Sequence, residues 1–112
     1  MNALRDTLRK FVAERDWDQF HSPKNLAMAL SVEASELMEH FQWLSEAESR
    51  SLAAEKLEQV RDEMADVLVY LVRLADKLDV DLLDAAQQKI AKNALKYPAA
   101  RVRGSMKKYS DY

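Results

Sequence analysis

The sequence predicts an all-α protein, and three observations support this fold class. Glycine occurs once in 112 residues and proline twice, so the chain has few of the residues that the tight turns of an all-β fold require. Apolar residues recur three and four positions apart over long stretches. Serine or aspartate precedes several of these stretches, at positions typical of helix N-caps. We expect the chain to form a four-helix bundle.

The first two helices are predicted from apolar spacing and from a helix-start signal. The first runs from Asn2 to about Glu14, and its apolar face consists of Leu4, Leu8, Phe11 and Val12. Ser22 and Pro23 begin the second helix, because serine is a good N-cap and proline fits the first helical position, where no backbone N–H is needed. We expect this second helix to continue to about Gln42.

The third helix is the longest, from about Ala54 to Leu78, and a polar connection precedes it. In that connection, Ser45 and Glu48 have the spacing of a capping box around one short turn. The third helix has apolar residues alternately three and four apart, as in a helix packed within a bundle. These seam residues are Leu57, Val60, Met64, Val67, Leu71, Leu74 and Leu78.

The fourth helix begins after Asp79 or Asp81, either of which can cap it, and continues to about Lys96. Pro98 then stops it. Residues 99–112 contain four basic side chains and few apolar ones, so we interpret them as a mobile basic tail following a single domain over residues 1–98.

Composition excludes several classes of function. Lys and Arg number 17 against 19 Asp and Glu, so a net charge of −2 provides no overall attraction to nucleic acid. Cysteine is absent, which excludes disulfides and thiolate zinc sites and suits the cytoplasm. No apolar run approaches the ~20 residues of a membrane span. We therefore expect a cytoplasmic protein that binds neither membranes nor nucleic acid, and its small size favours a homo-oligomer.

Two pairs of carboxylates stand out on consecutive helices. Glu33 and Glu36 lie one turn apart on the second helix, and Glu63 and Asp66 lie one turn apart on the third. On a helical projection Glu33 falls inside the apolar stripe, where an ionised carboxylate without a partner is costly. Four inward carboxylates would form a strongly negative site. A divalent cation would compensate it, and oxygen ligands favour Mg²⁺, Mn²⁺ or Ca²⁺ over zinc.

These acids have three other interpretations. Solvated surface acids are the usual case for a single Glu-x-x-Glu, but two pairs on consecutive helices, one among apolar residues, favour a site. Glu39 is also three residues from Glu36, although it lies on the side of the helix with Ser31 and Ser35. A di-iron carboxylate site requires Glu-x-x-His, and His40 follows Glu36 by four residues instead.

The two acidic pairs, separated by 26 residues, resemble the metal signature of the all-α MazG-like nucleoside triphosphate pyrophosphohydrolases. The resemblance covers roughly residues 4–98. Its dCTP pyrophosphatase branch is the most similar, on five motifs: Trp17-Asp-Gln-Phe-His21, Pro23-Lys-Asn-Leu26, Phe41-Gln-Trp43, Asp66-Val-Leu-Val-Tyr70 and Lys96-Tyr-Pro98.

The resemblance implies cleavage of a nucleoside triphosphate to the monophosphate and pyrophosphate, with dCTP or its 5-modified forms as the leading substrates and nucleotide-pool cleansing as the purpose. It implies that Mg²⁺, or Mn²⁺ in its place, is bound by Glu33, Glu36, Glu63 and Asp66. One glutamate would activate the attacking water, and Glu36 is preferred over Glu33 and Glu63. The resemblance also implies a homotetramer.

Substrate contacts are implied by the same resemblance. Trp17, Trp43 and Tyr70 correspond to residues around the nucleobase, where aromatic rings stack. His21 would be a further contact. Sugar or phosphate contacts, some across a subunit boundary, would come from Lys89, Asn93, Lys96 and Tyr97. The dCTP-preferring relatives commonly carry histidine where this chain has Leu8, so the resemblance supports hydrolysis more strongly than a strict preference for cytosine.

Two functions from other classes are alternatives to hydrolysis. A non-catalytic helical oligomerisation module would present its four acids to solvent. A nucleic-acid-binding protein would depend on the basic residues after Pro98. Neither explains carboxylates among apolar residues.

Overall fold

The computed structural model of the chain describes residues 1–104 and is all-helical over that range, without a β-strand. The all-α prediction is therefore confirmed. The described residues contain six α-helices rather than four, because two of the six are single four-residue turns. In chain order the elements are α1 (Asn2–Glu14), a 3-10 turn (Asp18–Phe20), α2 (Pro23–Glu39), α3 (Glu46–Ser49), α4 (Ala54–Lys77), α5 (Leu82–Lys96) and α6 (Ala99–Val102).

The helix starts follow the capping signals in the sequence. The Ser22 hydroxyl accepts a hydrogen bond from the Asn25 backbone N–H at the start of α2. Ser45 and Glu48 form both hydrogen bonds of a capping box, which begins α3. Of the two aspartates that could cap α5, it is Asp81 that does so. Each cap satisfies a backbone donor that the first helical turn leaves unpaired.

The predicted end of α2 at Gln42 is wrong, because α2 ends at Glu39. The backbone then tightens into turns, with N–H groups of His40 and Phe41 donating three residues back. The turns continue to Leu44, whose N–H donates to the Phe41 carbonyl. The chain from Phe41 to Trp43 therefore lies outside the helix.

The structure divides into two compact units, the first formed by residues 1–80 and the second beginning at residue 81. In the first unit, α2 packs along α4 and α1 also contacts α4. The boundary expected after Pro98 stays a prediction. Within residues 1–104, the buried apolar residues lie in the first unit and form a small core: Val12, Leu26, Val60, Val72 and Ala75.

The predicted seam of α4 is only partly buried within the chain. Val60 is buried, whereas Leu57, Met64 and Leu78 are each more than half exposed. Nearer the end of α4 the buried face contains Val72 and Ala75 instead of the predicted Leu71 and Leu74, which are half-buried. In this stretch α1 contacts α4 through the hydrogen bond from Arg9 to Asp76. One chain therefore leaves much of the apolar surface of its longest helix uncovered.

In the second unit, Asp81 caps α5 and no residue of α5 is buried. Ala99–Val102 form the single turn α6, and the interpretation of residues 99–112 as a mobile basic tail stays a prediction. The part of that prediction from residue 105 onwards lies outside the described residues. None of the helices in residues 1–104 has the length and apolar character needed to cross a bilayer.

Candidate metal centre and active site

Three of the four predicted acidic ligands converge where α2 packs on α4. Glu33 and Glu36 are carried by α2, one turn apart, and Glu63 is carried by the first half of α4. One carboxylate oxygen from each lies within 4.8 Å of the others. A single cation could contact all three, because Mg²⁺ and Ca²⁺ bind oxygen ligands at about 2.0–2.6 Å.

The environment of this carboxylate cluster (Glu33, Glu36 and Glu63) disfavours negative charge. One side-chain oxygen of Glu33 and one of Glu63 are buried and have no hydrogen-bond partner. Burial, followed by the adjacent carboxyl groups of Glu63 and Glu36, raises the pKa of Glu33 to about 7. Like charges close together with few compensating donors are typical of a site that a cation completes.

The carboxylate cluster fits a hard divalent cation. All three potential ligands are oxygens, all three side chains are half-buried, and two of the oxygens lack any other partner. Asp66 is exposed and does not belong to the group of converging oxygens. Its charge nevertheless contributes to the raised pKa of Glu33, which places it near the cluster. Its role as a fourth ligand stays a prediction.

The four predicted substrate contacts of the first unit lie in different settings. Trp43 follows α2 and is 87% exposed, whereas Tyr70 is half-buried on α4, one turn beyond Asp66. Trp17 is partly exposed and packs edge-to-face against Phe11 of α1, with ring centroids 5.8 Å apart. The exposed parts of the Trp17 and Trp43 rings offer surfaces on which a nucleobase can stack. Their roles as base contacts stay predictions.

His21, the fourth of these residues, is half-buried and is not a free side chain. Its Nδ1 accepts a hydrogen bond from Nε of Arg73, at 3.2 Å. Burial, and then the positive charge of Arg73, lower the pKa of His21 below its usual value. The imidazole is therefore neutral near pH 7.

The remaining predicted substrate contacts lie in the second unit. Lys89, Asn93 and Lys96 are exposed on α5, and the half-buried Tyr97 ends this helix by donating its N–H to the Asn93 carbonyl. Spacings of four and three residues place Lys89, Asn93 and Lys96 along one face of α5. Their roles as sugar or phosphate contacts stay predictions.

Sequence reasoning missed a second group of charged residues, which we call the Arg73 network. It consists of Arg9 on α1, Asp18 in the 3-10 turn, and Arg73, Asp76 and Lys77 on α4. A cleft of about 390 Å³ is lined by these side chains and Ala13. The signal available in the sequence was an arginine inside the apolar stretch of α4, with an aspartate one turn later.

Comparisons with known proteins place the chain in a family. A model of the MazG-like family matches residues 28–112, which is most of the chain. The chain belongs to the MazG-like family. The resemblance inferred from the acidic pairs is thereby confirmed.

The relatives include mammalian proteins named dCTP pyrophosphatase 1. The rat protein is 47% identical over 110 residues and the human protein 42% identical over the same length. Each alignment covers 96% of this chain and 65% of the relative, so the chain spans about two thirds of the length of these proteins. A solved structure of a pyrophosphatase from Archaeoglobus fulgidus is also similar, with 41% identity, a TM-score of 0.83, and coverage of 88% of this chain and 92% of that one.

Proposed function

We propose that the protein is a Mg²⁺-dependent nucleoside triphosphate pyrophosphohydrolase that converts a deoxynucleoside triphosphate to its monophosphate and pyrophosphate. The observation that carries this proposal is the carboxylate cluster, in which three acids converge and two of their buried oxygens have no partner. The names of the mammalian relatives and of the archaeal structure support the same reaction. Mn²⁺ can take the place of Mg²⁺ with the same ligands.

In the proposed enzyme these carboxylates would hold the divalent cation. Glu33, Glu36 and Glu63 would be direct ligands, with Asp66 as the fourth acid close by. When bound, the cation neutralises charge on the triphosphate and on the leaving pyrophosphate. Without it the same carboxylates would repel the substrate. Their convergence is therefore useful for catalysis only in the metal-bound protein.

The chemical step follows from the bond that breaks. A water oxygen attacks the α-phosphorus, the bond from that phosphorus to the α–β bridging oxygen breaks, and pyrophosphate leaves with the electron pair. One carboxylate accepts the proton of the water, and Glu36 is our preferred acceptor. Unlike Glu33 and Glu63, Glu36 is not among the residues with a buried, unpartnered oxygen.

We propose dCTP or a 5-modified dCTP as the leading substrate. Supporting observations are the names of the mammalian relatives and the accessible rings of Trp17 and Trp43. Stacking on aromatic rings tolerates every base, so selection for cytosine must come from hydrogen bonds to its edge. The side chain of Leu8, which is half-buried on α1, cannot supply one.

We also propose that the protein is a homo-oligomer, and a tetramer by analogy with the family resemblance. Support comes from the large apolar side chains that one chain leaves exposed. On α4 these include Leu57 and Met64, and Leu78 directly follows the helix; each is more than 50% exposed. On α5 they include Ile90 and Leu95, at 67% and 83%. Apolar surface on this scale marks sites of association in soluble proteins.

The reaction is tested by the position of bond cleavage. All four dNTPs and the four NTPs are incubated with the full chain and Mg²⁺ in ¹⁸O-labelled water, and the products are analysed by mass spectrometry. The proposal predicts unlabelled pyrophosphate and one ¹⁸O in the monophosphate, because water attacks the α-phosphorus. Orthophosphate as the primary product, or ¹⁸O in pyrophosphate, would contradict it.

A matched pair of variants tests which acids form the site. Glu36→Gln removes a member of the carboxylate cluster, and Glu39→Gln removes an exposed glutamate three residues later on the same helix. We expect the first to abolish hydrolysis and the second to leave it unchanged. Comparable losses in both variants would mean that the acids of α2 act in the register Glu36–Glu39 instead.

A further inference from the structure

Arg73 is the most unusual charged residue in the described part of the chain. It is 3% exposed, and it is the only buried polar or charged residue among residues 1–104. A buried guanidinium is tolerated only where its N–H groups have partners. Arg73 donates from three nitrogens to three different side chains, which are His21, Asp18 and Asp76.

Two of these partners belong to one short segment. Asp18 and His21 lie 55 and 52 residues before Arg73 and form the ends of the segment that contains the 3-10 turn. The distances are 3.0 Å from Nη2 of Arg73 to Oδ1 of Asp18 and 3.2 Å from its Nε to Nδ1 of His21. Arg73 thus attaches both ends of this segment to α4. Trp17, a predicted base contact, directly precedes it.

The hydrogen bond to His21 also determines where the imidazole carries its proton. Nε of Arg73 is always protonated and can only donate, so Nδ1 of His21 must be the acceptor. In a neutral imidazole the single proton then resides on Nε2. His21 is consequently a donor at Nε2, suited to an acceptor oxygen of a base, sugar or phosphate.

We infer that Arg73 is a positioning residue for nucleotide binding, which holds the Asp18–His21 segment, next to Trp17, on α4 and fixes His21 as an Nε2–H donor. This inference rests on the proposed function, since it assumes that the segment contacts a nucleotide. Arg73 itself does not touch the reacting atoms and is separated from the carboxylate cluster by ten positions of α4. Its effect is on substrate affinity and base selection rather than on the chemical step.

The rest of the Arg73 network makes this inference testable by substitution. Lys77 donates to Asp18 at 2.6 Å, and Arg9 donates to Asp76, so both aspartates keep a cationic partner when Arg73 is replaced. Arg73→Met keeps an unbranched side chain as far as the position of Nε and removes every donor. Arg73→Lys keeps the charge but has one nitrogen, which cannot reach all three partners. Arg9→Gln is the matched control, because it removes a cation of the network that does not contact the segment.

The first measurement is the tautomer of His21 by two-bond ¹H–¹⁵N NMR. The chain has two histidines, so His40 serves as an internal reference. We expect the Nε2–H form for His21 in the natural protein and in Arg9→Gln, and a mixture of tautomers in Arg73→Met. An Nδ1–H form in the natural protein would overturn the inference whatever the variants do.

The second measurement is steady-state hydrolysis of the four dNTPs. For Arg73→Met we expect KM for the preferred substrate to rise about tenfold while kcat stays within about twofold, with weaker discrimination among bases. Arg73→Lys should be intermediate and Arg9→Gln unchanged. An unchanged KM in Arg73→Met would overturn the inference. So would a loss of kcat that is matched by a loss of helical circular dichroism, because the variant would then simply be unfolded. A natural protein that hydrolyses no nucleotide would instead refute the proposed function, while the NMR result still stands by itself.

Discussion

Helix α4 carries two groups of charged side chains that differ in whether their charges are compensated. In its first half, Glu63 meets Glu33 and Glu36 of α2, and buried oxygens of two of them have no partner. Roughly 15 Å further along the helix axis, Arg73 is more deeply buried and yet has a partner for each of its nitrogens. The fold can therefore satisfy a buried charge, and it does so at Arg73.

The difference indicates separate purposes. The Arg73 network connects α1, the 3-10 turn and α4 through pairs of opposite charge, and it stabilises the chain without a ligand. The carboxylate cluster contains charges of one sign, which destabilise the chain until a cation is bound. Under the proposed function, the metal-free chain is less stable because the cluster keeps three carboxylates together as ligands for the cation.

The largest expected effect is on catalysis. Glu63→Gln should lower kcat by ~10²–10³-fold, because it removes a metal ligand that stabilises charge on the leaving group. The assay is pyrophosphate release from dCTP at saturating Mg²⁺. Glu58→Gln, an exposed position on the same helix, is the control and should keep full activity. A Glu63→Gln protein with more than a third of the natural rate would contradict the role of Glu63 as a metal ligand and with it the difference between the two groups.

At the Arg73 network we expect a loss of stability instead. Asp76→Ala leaves the buried guanidinium of Arg73 with one carboxylate fewer and should lower the free energy of unfolding by about 2–3 kcal/mol. Urea denaturation measures this change. Arg9→Gln should have a much smaller effect, because Asp76 then keeps its bond to Arg73. Equal effects in the two variants would show that the burial of Arg73 does not matter.

At the carboxylate cluster, removing a charge should increase the stability of the metal-free protein, whereas at the Arg73 network it should decrease stability. Without metal, Glu33→Gln should raise the thermal midpoint by a few degrees, because it removes a charge that burial and neighbouring carboxyl groups disfavour. Added Mg²⁺ should raise the midpoint of the natural protein but not that of the variant. A Glu33→Gln protein that is less stable than the natural one would contradict this explanation.

The pH dependence should separate the two groups further. The pKa of Glu33 is raised from 4.5 to about 7 in the folded chain, so the metal-free protein should lose stability as pH rises through this interval. The hydrogen bond from Arg9 lowers the pKa of Asp76 below 3.8, so its contribution is present above that pH and is lost as pH falls further. Unfolding curves measured across pH should show this difference. Glu33→Gln should lack the loss of stability as pH rises, and Asp76→Asn should lack the loss of stability as pH falls.

The carboxylate cluster was largely predictable from sequence because its members are paired within helices. A spacing of three residues places Glu33 beside Glu36 on one face whatever the tertiary structure, and the apolar neighbours show that this face is inward. The caps at Ser22 and Ser45 were predictable for the same reason, since each hydrogen bond spans three residues.

The attachment of Arg73 to Asp18 and His21 could not be predicted because these two bonds connect residues more than 50 positions apart. Local spacing contains no information on which loop meets which helix. The buried face at the end of α4 was wrongly predicted for a related reason. Periodicity locates an apolar stripe, but tertiary packing decides that Val72 and Ala75 are buried while Leu71 and Leu74 are half-buried.

The central claim is that a divalent cation completes the carboxylate cluster, and calorimetric titration of Mg²⁺ into the metal-free protein tests it most directly. Titrations near pH 6.5 in buffers of different ionisation enthalpy also measure proton release. We predict saturable binding with net release of a proton from the natural protein, because Glu33 is partly protonated there and must ionise to bind metal, and no such release from Glu33→Gln. Binding of equal strength in both proteins with no proton released, or no binding in either, would contradict the claim.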